Sequence, residues 1–247
     1  MKCQMSLMGS ARYTRSVVRL NDQTGGALSG HHRFGRLNPS AGLTFDVRDA
    51  ITAYASYSTA SRVPTPSELG CADPEDPCRL PNAFVADPPL DQVVARTWEV
   101  GVRRQAAALN WTAAAFATTS RHDIIFISSG ALTNEGHFAN VGDTRRRGLE
   151  LSGAGTLARI VRWGAAYTYL RATFDTPLVL SSPNHPDARG GEIPVAAGRS
   201  IPGIPRHILK GDLSVTAGRT TAGTSLTWTS AQFLRGDEAN LLAPIPG

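Results

Sequence analysis

The sequence predicts an all-β fold, an antiparallel up-and-down transmembrane β-barrel. Three observations carry that prediction. Apolar and polar residues alternate with period two over most segments between the proline- and glycine-rich breaks. The connections between those segments alternate long and short, as they do when one end of a barrel carries long loops and the other tight turns. No stretch approaches the ~18–20 consecutive apolar residues of a membrane helix. The longest aliphatic or aromatic piece is Ile124-Ile125-Phe126-Ile127. With helices excluded, a closed barrel is the remaining way to cross a bilayer with every backbone group hydrogen-bonded.

Nine strands are expected, at residues 6–19, 34–47, 51–61, 95–104, 107–127, 138–153, 161–174, 208–217 and 221–234. Near Ile51 one face holds Ile51, Ala53, Ala55 and Tyr57 and the other Thr52, Tyr54, Ser56 and Ser58. Trp98, Val100 and Val102 oppose Thr97, Glu99, Gly101 and Arg103. Leu149 and Leu151 oppose Gly148, Glu150 and Ser152. Val161, Trp163, Ala165, Tyr167 and Tyr169 oppose Arg162, Gly164, Ala166 and Thr168. Leu209, Leu213 and Val215 oppose Lys210, Asp212, Ser214 and Thr216. Residues 107–127 alternate least cleanly, because Ala114 and Phe116 fall on the polar face.

The connections run long (20–33), short (48–50), long (62–94), short (105–106), long (128–137), short (154–160), long (175–207) and short (218–220). Prolines concentrate in 64–89 and 177–205, where the lack of an N–H donor argues against ladder pairing. In a meander every second connection lies at the same end, so this alternation puts all long loops on one side. A Greek-key sandwich would mix its loop lengths.

Composition fits this reading. Neither the 41% hydrophobic nor the 18% charged residues point to a disordered chain. A mean hydropathy of −0.16 is what alternating strands give. The net charge of +5 raises nucleic-acid binding as an option. Apart from Arg145-Arg146-Arg147 the basic residues are scattered and no recognition motif accompanies them, so no nucleic-acid partner is expected. A face of Thr, Ser, Gly, Glu and Arg would make a poor dry core and suits a wet or plugged lumen. Trp98, Trp111, Trp163, Trp228, Tyr57, Tyr167 and Tyr169 fit an outward aromatic girdle. The start, Met1-Lys2-Cys3-Gln4-Met5-Ser6, lacks the apolar region of a signal peptide, so the chain is expected to begin inside a longer protein.

Five motifs carry a resemblance. Tyr54 to Ser61 runs into Arg62-Val63-Pro64-Thr65-Pro66-Ser67-Glu68-Leu69, an Arg-x-Pro-Thr-x-x-Glu-Leu pattern in Arg62, Pro64, Thr65, Glu68 and Leu69. Thr97, Glu99 and Gly101 form a Thr-x-Glu-x-Gly strand. Asn140-Val141-Gly142 precedes Gly148-Leu149-Glu150. Ile201-Pro202-Gly203-Ile204-Pro205-Arg206-His207 and the polar turn Gly236-Asp237-Glu238-Ala239-Asn240 follow. In this order the chain resembles the barrel of TonB-dependent outer-membrane receptors. The resemblance implies a bacterial outer-membrane location with lipid around the wall. It implies binding of a scarce small ligand such as a ferric siderophore in the long loops, above all 62–94 and 175–207. It implies energisation by the TonB complex through a plug domain. No cofactor and no covalent chemistry are implied. Such barrels have about 22 strands around a plug. Residues 1–247 are therefore expected to be an incomplete sector of about nine strands from the C-terminal part of the barrel, with the plug domain absent.

Other constellations have simpler readings. Cys71 and Cys78 flank two prolines in the longest loop, a spacing that suits a disulfide in an oxidising compartment. Asp73, Glu75 and Asp76 lack the glycine turn of a calcium loop, and no metal site is expected. His31 and His32 are adjacent and would point to opposite faces of a strand. His122, His137, His185 and His207 sit in or beside long loops. Arg145-Arg146-Arg147 marks where a strand leaves the long-loop side, suited first to a simple lumen-facing or rim charge and otherwise to an anionic ligand or outer-leaflet lipid phosphates. Glu99 and Glu150 are expected to face inward, either pairing with Arg103 or Arg147 across the wall or facing the plug. A passive porin would share the loop asymmetry without the motifs. A barrel enzyme would need a rim pair such as Ser128 with His137.

Overall fold

The structure, a computed structural model, describes residues 4–21, 29–70, 78–79, 90–128, 135–158, 160–182 and 184–247. In chain order its elements are β1 (Met5–Leu20), β2 (Gly30–Arg48), β3 (Ile51–Arg62), α1 (Pro66–Leu69), β4 (Cys78–Arg79), β5 (Val93–Arg104), β6 (Leu109–Arg121), β7 (Ile124–Ser128), β8 (Glu135–Asn140), β9 (Thr144–Leu157), β10 (Val161–Phe174), β11 (Leu178–Ser181), β12 (Glu192–Val195), β13 (His207–Ala217) and β14 (Thr220–Thr229). Nine of the strands build one antiparallel sheet, in the order β1-β2-β3-β5-β6-β9-β10-β13-β14. Each wall strand pairs with the next one along the chain, so the sheet is an up-and-down meander. Among the described residues β1 and β14 are its two edges. The shortest wall strand, β14, has 10 residues, within the ~9–11 that a tilted strand needs to cross a bilayer.

The register fixes two chemically distinct faces. One line of cross-strand partners reads Met5, Phe45, Ala53, Val102, Ala113, Leu151, Tyr167, Leu209 and Trp228. A neighbouring line on the opposite face reads Asp46, Thr52, Arg103, Thr112, Ser152, Ala166, Lys210 and Thr227. The apolar line is not covered by protein: Leu7 is 79%, Trp98 64% and Leu226 61% exposed. A contiguous apolar face of this extent marks a surface that meets lipid or another apolar partner. All the wall's carboxylates, Asp46, Glu99, Glu150 and Asp212, lie on the polar face. The seven expected girdle aromatics all lie on the apolar face, in two belts. Tyr57 packs on Trp98 with ring centroids 4.6 Å apart, and Tyr169 on His207 at 5.3 Å, toward the long loops. Trp111 and Trp163 lie toward the tight turns. On β10 the two belts are about 20 Å apart along the strand at ~3.4 Å per residue.

The wall has no dry core of its own. Two buried clusters sit at the long-loop end instead. Leu69, Leu90, Val93 and Ile124 pack with Val18, Leu20, Phe34 and Phe138. Phe174, Leu180, Ile193, Val195 and Ala239 pack with Ile125, Leu178 and Ile201.

The structure corrects the expected strand map at that end. Residues 107–127 are not one strand: β6 ends at Arg121 and β7 starts a separate sheet. Likewise 138–153 splits into β8 and β9, and β8 pairs with β7 and with β4. The cause is a paired kink. His122 adopts φ 54° and Gly142 φ 95°. The Asp123 N–H donates to the Gly142 carbonyl at 3.0 Å, and the Val141 N–H to the Asp123 carbonyl at 2.9 Å. Both strands of the hairpin therefore leave the wall together. The hairpin β11–β12 lies within the expected loop 175–207. β2 begins at Gly30, so His31 and His32 are strand residues on opposite faces. β14 ends at Thr229, not at Leu234. Cys71 lies outside the described residues, and Cys78 opens β4 opposite Gly136.

Candidate functional site: the long-loop rim

Four clamps tie the long loops to the wall. The first is the Arg62–Leu69 segment. β3 ends at Arg62, and Pro64 is fully buried beside it. Thr65 is extended (φ −73°, ψ 160°) and caps the single turn α1, with Pro66 following at the first helical position. The Glu68 N–H donates to Thr65 Oγ1 at 3.2 Å, and the Thr65 N–H donates to Glu68 Oε2 at 2.7 Å. This reciprocal capping box also receives Arg62, whose Nη1 lies 2.6 Å from Glu68 Oε2. Leu69 then drops into the first buried cluster. The five motif residues thus convert a wall strand into a loop anchored over the mouth of the sheet.

Burial pushes the Glu68 carboxyl up, but hydrogen bonds from Arg62 and Thr65 and the Arg62 charge outweigh it, holding Glu68 below its ordinary value of 4.5. A lowered folded-state pKa stabilises the clamp above the ordinary value and loses that stabilisation as pH falls through the folded one. Hydrogen exchange at the Glu68 amide should therefore accelerate as pH falls below the ordinary value, beyond the intrinsic pH dependence. Glu68→Gln should remove that excess and weaken the cap by about 1 kcal/mol.

The second clamp centres on Asn140. Its Nδ2 donates to the carbonyls of His122 (2.7 Å) and Asp91 (3.3 Å), while its Oδ1 accepts the Asp91 N–H (2.8 Å). One side chain so fastens the loop before β5 to the kink between β6 and β9. Thr144, fully buried, donates to Asp123 Oδ2 at 2.7 Å, and Arg146 approaches the same oxygen at 3.5 Å. Arg145 pairs with Asp175 and Arg121 with Asp143. A side chain at Gly142 would meet Thr176 at 2.9 Å, so glycine serves both the positive φ and the close approach.

The third and fourth clamps hold the chain after β12. Asn140's role is repeated by Asn240, whose Oδ1 accepts the Ser200 N–H at 2.6 Å and whose Nδ2 donates to the Ser200 carbonyl at 3.0 Å. Asp237 accepts the N–H groups of Leu241 (2.7 Å) and Leu242 (3.0 Å). Its Oδ1 also lies 3.3 Å from His185 Nε2, with both side chains almost fully buried. His185 Nδ1 accepts the Asp187 N–H at 3.1 Å.

The remaining motif residues belong to the wall. Thr97 bonds Thr118 across the polar face at 2.8 Å. The Tyr54 ring lies over Gly101, where a Cβ would meet it at 2.6 Å. Gly148 sits under the Phe116 ring. Glu150 faces the lumen side as expected, but Arg147 does not: it lies on the outward face with Leu149 and Leu151, so the two cannot pair across the wall. Three residues apart in a strand means opposite faces. Arg103 shares the inward face of Glu99.

Sequence reasoning missed the His185–Asp237 pair and the Asn140 and Asn240 clamps as contacts. The available signal was Asn240, since Asn enters the left-handed region more readily than most non-glycine residues and here has φ 53°. His207 faces outward and meets the Tyr167 hydroxyl at 2.8 Å. In the β7–β8 hairpin His137 lies opposite Ile127 and Ser128 opposite Gly136. No group of three His, Cys, Asp or Glu suited to a metal ion occurs among the described residues.

This architecture has relatives among solved structures. The chain superposes on the ferric yersiniabactin uptake receptor FyuA from Yersinia pestis with a TM-score of 0.66, at 14% identity, covering 95% of this chain and 33% of that one. For the siderophore receptor PiuA from Acinetobacter baumannii the values are 0.62, 20%, 99% and 32%. For the alcaligin outer membrane receptor FauA from Bordetella pertussis they are 0.56, 19%, 92% and 34%. The chain thus spans about a third of the length of each of these structures. No curated protein sequence matches it. The family model described as TonB dependent receptor-like, beta-barrel matches residues 4–247. With nearly its whole length matched and nine wall strands in meander order, the chain belongs to the TonB-dependent receptor β-barrel family.

Proposed function

We propose that this chain is a sector of the barrel wall of an outer-membrane receptor that takes up a scarce small ligand, a ferric siderophore in the first instance. The observation that carries the reading is the two-faced meander with every long loop at one rim, in a chain of the TonB-dependent receptor family. The apolar face with its aromatic belts meets lipid. The polar face of Glu99, Glu150, Arg103 and Lys210 lines the lumen, where a plug domain outside this sector sits. The clamped loops, 62–94 and 175–207 above all, carry ligand contacts at the outer surface. The TonB complex acts on the plug, not on these residues. A siderophore is named for one structural relative, ferric ligands for others and copper for another, which supports a metal-carrying small ligand.

Deletion of the full-length gene tests this. Uptake of radiolabelled iron presented as a panel of siderophores should fall to background for at least one of them under iron limitation. A protonophore should abolish the same uptake in wild-type cells. Unchanged uptake of the whole panel, and of copper, rejects the receptor reading. Uptake that needs the protein but ignores the protonophore favours a passive porin instead.

A further inference from the structure

We propose that the tight-turn end of the wall is a cationic docking surface for an extended, acidic polypeptide segment on that side of the membrane. The proposal rests on the membrane reading above. Its basis is a charge polarity along the strands. Each tight turn carries an arginine in the turn or within two residues of it. These are Arg48 at the β2–β3 turn, Arg103 and Arg104 at β5–β6, Arg162 at β9–β10 and Arg219 at β13–β14. Arg48, Arg103, Arg162 and Arg219 are exposed. Among the described residues the carboxylates at this end are Asp49 and Asp46, and Asp46 accepts the Thr52 hydroxyl at 2.9 Å. The opposite end is acidic. Glu68, Asp123, Asp143 and Asp175 lie in the loop layer and hold Arg62, Arg146, Arg121 and Arg145. No turn arginine makes such an ion pair among the described residues.

The orientation of these arginines favours a partner below the wall over the surrounding lipid. The outward face stays apolar down to the turns, where Leu157, Val161 and Val215 lie in one line across β9, β10 and β13. Arg103 and Arg162 share the polar, lumen-side face. Arg219 stands in its turn and Arg48 at the edge of its own. Arg104 shares the outward face, opposite Trp111. The charge is thus presented chiefly to whatever approaches the barrel mouth from the tight-turn side. Successive hairpins are two strands apart, so the turn arginines recur about every 10 Å along the rim. An extended chain rises ~3.4 Å per residue, so a carboxylate at every third residue keeps step with that spacing. About ten residues span the turns from Arg48 to Arg219 at that rise. Guanidinium groups take carboxylates in bidentate pairs. A row of like charges without its own counter-charges gains most from a polyanion, and salt weakens the attraction by screening it. A compact anion would engage one turn and leave the others unmatched.

The test uses the full-length receptor in uncharged detergent at low ionic strength, titrated against rhodamine-labelled decaglutamate and a labelled glycine–serine decapeptide, with fluorescence anisotropy as the readout. Decaglutamate should bind, the glycine–serine peptide should not, and added salt should weaken the binding. Arg48→Gln with Arg104→Gln, and separately Arg162→Gln with Arg219→Gln, should each weaken it by up to about five-fold per arginine. The two variants alter different hairpins, so misassembly of one does not hide the result. Arg15→Gln with Arg33→Gln, at the long-loop end of β1 and β2, should leave the binding intact. No binding of decaglutamate, binding that survives both turn variants, or equal loss in the Arg15 and Arg33 variant overturns the docking surface. Full displacement of the peptide by an equal charge of phosphatidylglycerol in the micelle overturns it too, in favour of a lipid surface. A full-length protein that does not insert into membranes overturns both this proposal and the membrane reading. Ligand uptake without peptide binding overturns this proposal alone, and peptide binding without uptake overturns the uptake reading alone.

Discussion

Arginine in place of Val100 or Leu213 should keep the full-length protein from assembling in the membrane, while arginine in place of Ser152 or Ser225 should not. The four sites differ in face, not in secondary structure. Val100 and Leu213 lie on the apolar face, more than a third exposed to whatever surrounds the sheet. Ser152 and Ser225 lie on the polar face, Ser225 directly opposite Asp212. An arginine facing the middle of a bilayer costs about 2–4 kcal/mol in a barrel, and a lumen-facing one only adjusts the charge of the interior. Ser225→Arg even gains an opposite charge across the strand pair. Heat-modifiable mobility on gels and the folded fraction in outer-membrane preparations read the outcome. Equal assembly of all four variants would show that the apolar face does not meet lipid.

The wall was readable from sequence because its rules are local. Period-two alternation assigns faces strand by strand, and a single odd or even offset fixes them all. That parity puts Glu99 and Glu150 on the polar face. The same parity rule, applied to Arg147, excludes its pairing with Glu150. The rim was much less readable, because it is built from contacts between distant segments. Ile124-Ile125-Phe126-Ile127 continues the apolar content of β6, so nothing local announces a break at His122. The break is made by Asp123 bonding Val141, Gly142 and Thr144, about twenty residues on. The hairpin β11–β12 hides in a proline-rich stretch, since four-residue strands leave too short a pattern to see. His185 and Asp237 meet across a sequence gap that no motif spans.

Gly148→Ala should destabilise the barrel more than alanine at any other wall glycine for which a new methyl group meets protein. An ideal Cβ at Gly148 falls against the Tyr169 carbonyl oxygen and 2.7 Å from the Phe116 ring. The ring can turn aside, but the carbonyl belongs to the backbone of the adjacent strand and cannot move without breaking the β9–β10 ladder. Overpacking of this kind costs about 1–3 kcal/mol, and a backbone clash belongs at the upper end. Gly101→Ala provides the comparison. There the methyl meets only the Tyr54 ring, at 2.6 Å. Removing that ring should relieve the clash, so Tyr54→Ala should largely rescue Gly101→Ala, apart from the packing that the ring itself contributes. Phe116→Ala should not rescue Gly148→Ala, because the carbonyl remains. At Gly211 the nearest atom is 3.9 Å away, so alanine should be neutral or stabilising by ~0.5–1 kcal/mol through reduced chain entropy. Denaturant midpoints of the refolded full-length barrel, combined in double-mutant cycles, separate these cases. Rescue of Gly148→Ala by Phe116→Ala would mean that the ring, and not the strand backbone, sets the requirement for glycine in the Gly-x-Glu motif.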